Sequence, residues 1–131
     1  MVLDTHIWIW WTSSRGNLSP DENSLLTSAN PSGLKISVIS IWEVAKLVEK
    51  GRIAFQIPLS EWLGKAIADY GIEVIPLTNS IIVESTSLPG SFHNDPCDQI
   101  IVATSRIFSE PILTRDAKIL NYPFVEKGGT R

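Results

Sequence analysis

Four apolar stretches of three or four residues punctuate this chain, and a longer run of helical pattern follows each one. They are residues 1–3, 34–37, 72–75 and 112–114. Strands separated by helices pair in parallel, because a helical crossover carries the chain back to the same end of the sheet. The expected class is therefore α/β, with helices packed on a central, mostly parallel β-sheet. Residues 124–125 read as a fifth strand at an edge. Residues 127–131, with Gly128 and Gly129, read as a frayed tail.

The helix signals are local. Ser19-Pro20-Asp21-Glu22 is a capping box with proline at the first helical position, and the helix it opens is expected to reach Ala29. Asn30-Pro31-Ser32-Gly33 breaks it. Ser37 or Ser40 caps the next helix, which stops at Gly51. Further helices are expected over 58–70, from a Thr78 cap through about 88, and from an Asp95 cap to about 108. A helical turn is expected over 116–120, and residues 53–57 are a connector.

At 131 residues the chain reads as a single domain, 1–131, large enough to bury a core. No apolar run reaches the length of a membrane span. No basic region precedes the apolar N-terminus, so the cytoplasm is the expected compartment. The one cysteine, Cys97, excludes an internal disulfide and reads as a small buried residue. The net charge of −3 counts against a broad nucleic-acid-binding surface. Setting four particular acids aside leaves the remainder close to neutral, so local patches decide.

Those acids are Asp4, Glu43, Asp98 and Asp116. Each stands where a strand hands over to a helix, or just inside that helix. Ligands of open parallel sheets bind outside the carboxyl ends of the strands, so the four converge on one rim. Converging carboxylates repel unless protons or a cation intervene, and an all-oxygen cluster suits Mg²⁺ or Mn²⁺. Blander readings stand beside this one. Asp95 is a good N-cap, Glu43 has Lys46 and Lys50 within helical reach, and Lys46, Lys50 and Arg52 make a solvated basic face. His6 is either a polar residue at a helix start or a contact to a substrate phosphate.

Four motifs in order carry a resemblance. They are Leu3-Asp4-Thr5-His6, then Ile41-Trp42-Glu43-Val44-Ala45 with Glu49-Lys50-Gly51-Arg52, then Asp95-Pro96-Cys97-Asp98-Gln99-Ile100-Ile101-Val102-Ala103, and Leu113-Thr114-Arg115-Asp116. Together they resemble the PIN domain, and more narrowly the VapC-type toxins of bacterial and archaeal toxin–antitoxin pairs. The resemblance runs from Val2 to about Phe124. It implies a three-layer PIN-like sandwich and an endoribonuclease that needs Mg²⁺ or Mn²⁺. It also implies a homodimer and a cognate antitoxin that blocks the site. It carries the family's catalytic acids onto Asp4, Glu43, Asp98 and Asp116. Asp4 and Asp98 are the expected metal ligands, with Glu43, Asp116 and Asp95 as further candidates. Cys97 stands where some relatives have Phe, a change that leaves ligation intact. The fourth acid varies in the family; here Asp116 completes the set.

Around these acids, Lys46, Arg52 and Arg115 are candidate phosphate contacts, and Thr114 a hydrogen-bond partner for a carboxylate or a phosphate. Neighbouring Trp10 and Trp11 cannot both face one core along a helix, so some tryptophan is expected at an interface. Rival enzymes fit less well. A haloacid-dehalogenase-type phosphatase needs a second Asp where His6 stands, and no G-x-S-x-G elbow occurs. The non-enzyme alternative is a PIN-like module that binds RNA or protein without cleaving.

Overall fold

Val2 and Leu3 point to opposite faces of a sheet, and both are fully buried. A strand sealed on both faces needs helices above and below it. The computed structural model describes residues 1–13, 17–28 and 33–129. In chain order these form β1 (Val2–Leu3), α1 (Thr5–Ser13), α2 (Pro20–Ser28), β2 (Lys35–Ser37), α3 (Val38–Glu49), α4 (Leu59–Ala68), β3 (Glu73–Ile75), α5 (Asn79–Ser85), α6 (Pro96–Phe108), β4 (Ile112–Leu113) and α7 (Ala117–Leu120). The strands lie in the order β3-β2-β1-β4, and every pairing is parallel.

Register explains the two faces. Val2 stands opposite Ile112, and Leu3 opposite Leu113. Leu3, Ile36 and Leu113 therefore share one face, packed against Ile7 and Trp8 of α1, Leu26 of α2, Val44 of α3, and Trp62 and Ala66 of α4. The Trp8 indole N–H donates to Ala66 O at 3.1 Å, which lets so large a polar-tipped side chain be fully buried. On the other face Val2 and Ile112 meet Ile101 and Val102 of α6 and Ile119 of α7. Ile75 meets Ile81 of α5 and Ala103 of α6. The result is three layers, helices on both sides of the sheet.

The caps follow the sequence signals. Ser37 Oγ accepts the Ile39 N–H, and Thr78 Oγ1 accepts the Ile81 N–H. Asp95 accepts from Cys97 and Asp98, with Pro96 in the first turn. Three expectations change. The Thr78-capped helix stops at Ser85, three residues early, because Ser85, Thr86 and Ser87 turn their hydroxyls back onto the carbonyls of Ile82 and Val83. The expected strand over 124–125 is absent. Tyr122 and Val125 turn into the core, and the pairing moves to one parallel bridge between Ile112 and Lys127. The tail is tied down as far as it is described. Gly128 N–H donates to Ile112 O at 2.8 Å, and Gly129 lies against Leu25. The expected loop at Gly16, the helix end at Ala29, the break at Asn30, Pro31 and Ser32, and the last two residues lie outside the described residues.

Candidate active site

Asp4 follows the central strand β1 directly, so it emerges at the middle of the carboxyl rim. Its backbone N–H donates to Leu113 O at 3.0 Å, which ties it to β4. Oδ1 accepts the Thr5 N–H at 2.8 Å, and Oδ2 accepts the Thr114 hydroxyl at 2.5 Å. The side chain is 9% exposed. Burial pushes its pKa above the usual carboxylate value, and the two hydrogen bonds pull back against that.

Thr114 serves a second acid. Its Oγ1 accepts the Asp116 N–H at 2.9 Å. Asp116 then caps α7, with Oδ1 accepting from Lys118 at 2.8 Å and from Ile119 at 3.4 Å. On the opposite side of β1, Glu43 stands one turn inside α3. The Thr5 hydroxyl donates to Glu43 Oε1 at 2.5 Å and lies 2.8 Å from the Ser40 hydroxyl. Burial raises the Glu43 pKa, the Thr5 bond opposes it, and Asp4 and Asp95 raise it further.

Asp98 sits in the first turn of α6 with the N-cap Asp95 three residues before it. Burial pushes its pKa up to about 7, and Asp4, Asp95, Asp116 and Glu43 add to the rise in that order. A half-buried carboxylate repelled by four others marks the electrostatic centre of the rim. The same surroundings push the Cys97 thiol up to about 12, by burial first and then by Glu43, Asp95 and Asp98. A pKa raised in this way favours the thiol over the thiolate, the nucleophilic form.

The fold thus gathers Asp4, Glu43, Asp95, Asp98 and Asp116 into one electrostatic neighbourhood. It does not draw them into a finished cage. Among the described residues no three acid, imidazole or thiol groups are already grouped to hold an ion. The reason is visible in their bonding: Asp4 and Glu43 rest on hydroxyls, while Asp95 and Asp116 rest on helix N–H groups. The donor set fits a hard divalent cation. It is all carboxylate oxygen, and its crowding is what a cation relieves.

The basic candidates lie at varying removes. Lys46 Nζ pairs with Glu49 at 2.9 Å and lies 5.7 Å from the centre of the Trp42 ring. The Arg115 guanidinium is held by Glu22 and by Asn17 O, and lies over Trp10 at 4.9 Å. α3 stops at Glu49, about 9 Å along the helix axis from Glu43 at 1.5 Å per residue, and Arg52 is exposed beyond that end. His6 is exposed at the start of α1, close enough to Asp4 to lower its pKa. Three residues escaped the sequence reading. Thr5 holds Glu43, Ser40 meets the Thr5 hydroxyl, and His93 places Nε2 2.9 Å from Asp98 Oδ2. The available signals were a hydroxyl directly after Asp4, a serine one helical turn before Glu43, and a histidine just ahead of the Asp95 cap.

Residues 1–125 match the PIN domain family. The chain is 30% identical over 122 residues to Ribonuclease VapC22 of Mycobacterium tuberculosis (strain ATCC 25618 / H37Rv), covering 93% of this chain and 91% of that protein. Its fold is similar to a chain of a toxin–antitoxin complex from Klebsiella pneumoniae, with a TM-score of 0.66 and 22% identity over 95% of this chain and 93% of that one. It is equally similar to a chain of VapBC2 from Rickettsia felis bound to a promoter DNA fragment, with a TM-score of 0.66 and 14% identity over 96% and 95%. The strand order, the acid rim and the family match agree: this chain belongs to the PIN domain family.

Proposed function

We propose that this protein is a metal-dependent endoribonuclease, the toxin of a toxin–antitoxin pair, which hydrolyses RNA phosphodiesters at the acid rim. The observation that carries the reading is Asp98, a part-buried carboxylate crowded by Asp4, Asp95, Asp116 and Glu43. The similarity to a ribonuclease across 93% of the chain supports it. The expected ion is Mg²⁺ or Mn²⁺. When bound, such an ion supplies an acidified water and a Lewis acid for a phosphate oxygen. Asp4 and Asp98 would hold it. Glu43 and Asp116 would hold a second ion, bind through water, or orient the attacking water; Asp95 is a further candidate.

Substrate positioning falls to the basic groups around the rim. Lys46 reaches a phosphate only by leaving Glu49, an exposed pair weak enough to exchange, whereas Arg115 must leave a two-pronged hold on the part-buried Glu22 and the Asn17 carbonyl. Thr114 is committed to Asp4, so its part is to fix the acid. His6 and Arg52 remain candidate phosphate contacts. RNA is the proposed substrate, a cognate antitoxin the proposed inhibitor, and the cytoplasm the proposed compartment. No helix among the described residues is long and apolar enough to cross a membrane. A homodimer is proposed because Trp42 and Leu77 are exposed in one apolar groove beside α3.

Purified protein incubated with total RNA and Mn²⁺, beside EDTA and Asp98→Asn controls, tests the activity. Discrete fragments only in the uninhibited wild-type lane are expected. Cleavage that persists in EDTA or in the variant would overturn the acid-rim reading. RNA binding without any cleavage would favour the non-catalytic module.

A further inference from the structure

We infer that His93 is a positioning residue for Asp98, holding one carboxylate oxygen so that the other faces the rim. The inference rests on the proposed acid-rim reading and names a group that reading does not use.

His93 is held at its carbonyl, at one face of its ring and at Nδ1. Its carbonyl accepts the Gln99 side-chain N–H at 2.9 Å, which pins the loop to the first turn of α6. Its ring packs on Phe92 with centroids 4.5 Å apart. Phe92 in turn packs on the buried Tyr122 at 4.8 Å. The Asp95 backbone N–H donates to Nδ1 at 3.4 Å. A nitrogen that accepts a hydrogen bond carries a lone pair, so the proton of the neutral ring sits on Nε2.

Nε2 is sealed from solvent, and Asp98 Oδ2 lies 2.9 Å away. The distance suits a hydrogen bond and the alignment does not, so this buried donor has no hydrogen bond of its own. An unpaired buried N–H costs enough that it favours the nearest acceptor. The terminal torsion of an aspartate is soft, so Asp98 can turn into line without moving α6. The backbone then holds Nδ1, Nε2–H holds Oδ2, and Oδ1 remains for a ligand. Supporting partners of this kind fix a ligating carboxylate, and their loss costs about 10–100-fold in metal affinity.

The test uses the full-length chain. In metal-free, 15N-labelled wild type, the long-range imidazole spectrum at neutral pH should show His93 protonated on Nε2. A ring protonated on Nδ1 alone overturns the inference. Calorimetric titration with Mn²⁺ should show at least about ten-fold weaker binding in His93→Ala. His93→Gln, whose amide can donate from a similar place, should recover most of that loss. In RNA cleavage His93→Ala should lower kcat more than it raises KM. Circular dichroism checks that both variants fold, and the wild-type spectrum decides if His93→Ala does not. Wild-type Mn²⁺ affinity in His93→Ala, with binding lost in Asp98→Asn, overturns the role of His93 alone. Unchanged binding in Asp98→Asn as well removes the acid-rim reading on which it stands.

Discussion

The Thr114 hydroxyl donates to Asp4 Oδ2 at 2.5 Å, joining residues 110 apart in sequence. The Thr114 hydroxyl oxygen also accepts the Asp116 N–H, so one side chain at the end of β4 fixes two acids of the rim. Thr114→Val keeps the shape and the strand preference and deletes both bonds. The expected cost is about 1–3 kcal/mol, since a buried carboxylate and a backbone N–H lose a partner together. Urea denaturation measures it. Thr114→Ser should restore most of the loss, and an undiminished Thr114→Val would show that the pairing carries no stability.

Asp98 makes the metal-free protein sensitive to pH in an unusual direction. Its folded pKa, about 7, lies above the ordinary 3.8, so the native state keeps a proton that the unfolded chain releases. The contribution is fully present below about pH 4 and is lost as pH rises through 7. Other carboxylates with lowered pKa, such as Glu22 and Glu110, act oppositely at the acid end. The clean readout is therefore a difference. In EDTA, the melting temperature of Asp98→Asn minus that of wild type should grow from pH 5 to pH 8. A difference independent of pH would mean that Asp98 is not held protonated.

Cation binding should act on the same carboxylates from the other side. A ligand that binds only the folded state stabilises it by about 2.7 kcal/mol at a hundred times its Kd. Mn²⁺ should therefore raise the melting temperature of wild type at pH 7.5, and raise it less as pH falls toward 5, because the ligands must be deprotonated. Asp98→Asn should show little rise. Equal shifts in both proteins would place the ion elsewhere.

Trp42 is the tryptophan that the core leaves out, at 53% exposed, while Trp8 and Trp62 are buried. It lines an apolar groove with Val38, Ile39, Leu77, Pro96 and Cys97, and Ile82 and Val83 are exposed on α5. Burying this surface against a second copy is the proposed dimer contact. Light scattering should give a dimer for wild type and a monomer for Trp42→Glu. The melting temperature at low concentration should hardly move, since the side chain supports little of the fold of one chain. A wild-type monomer at high concentration would sink the dimer.

The parts of the fold written in short range were legible. Asp95, Thr78, Ser37 and Asp116 declare their caps within three residues, and strand–helix alternation implies parallel pairing before any strand is placed. What depends on distant partners was not. No local pattern says that Arg115 would be claimed by Glu22, 93 residues away. Nor does any local pattern say that residues 122 and 125 would enter the core and move the last pairing to Lys127. At the site, the five acids were readable because charge between apolar segments demands an explanation. Thr5 and His93 were not, because a hydroxyl and a loop histidine are ordinary until the fold sets them against a carboxylate.

The pairing of the first strand with the last one formed, β1 with β4, also sets a clock. Synthesis proceeds at about 5–20 residues per second, so Asp4 leaves the ribosome several seconds before Thr114 and Asp116 are made. Until they arrive, the acid rim lacks both its fourth carboxylate and the hydroxyl that fixes its first. On the proposed reading, a nascent chain that still lacks β4 carries an unfinished site. The site is complete only once β4 has paired with β1, which leaves an interval in which an inhibitor already present can meet the chain.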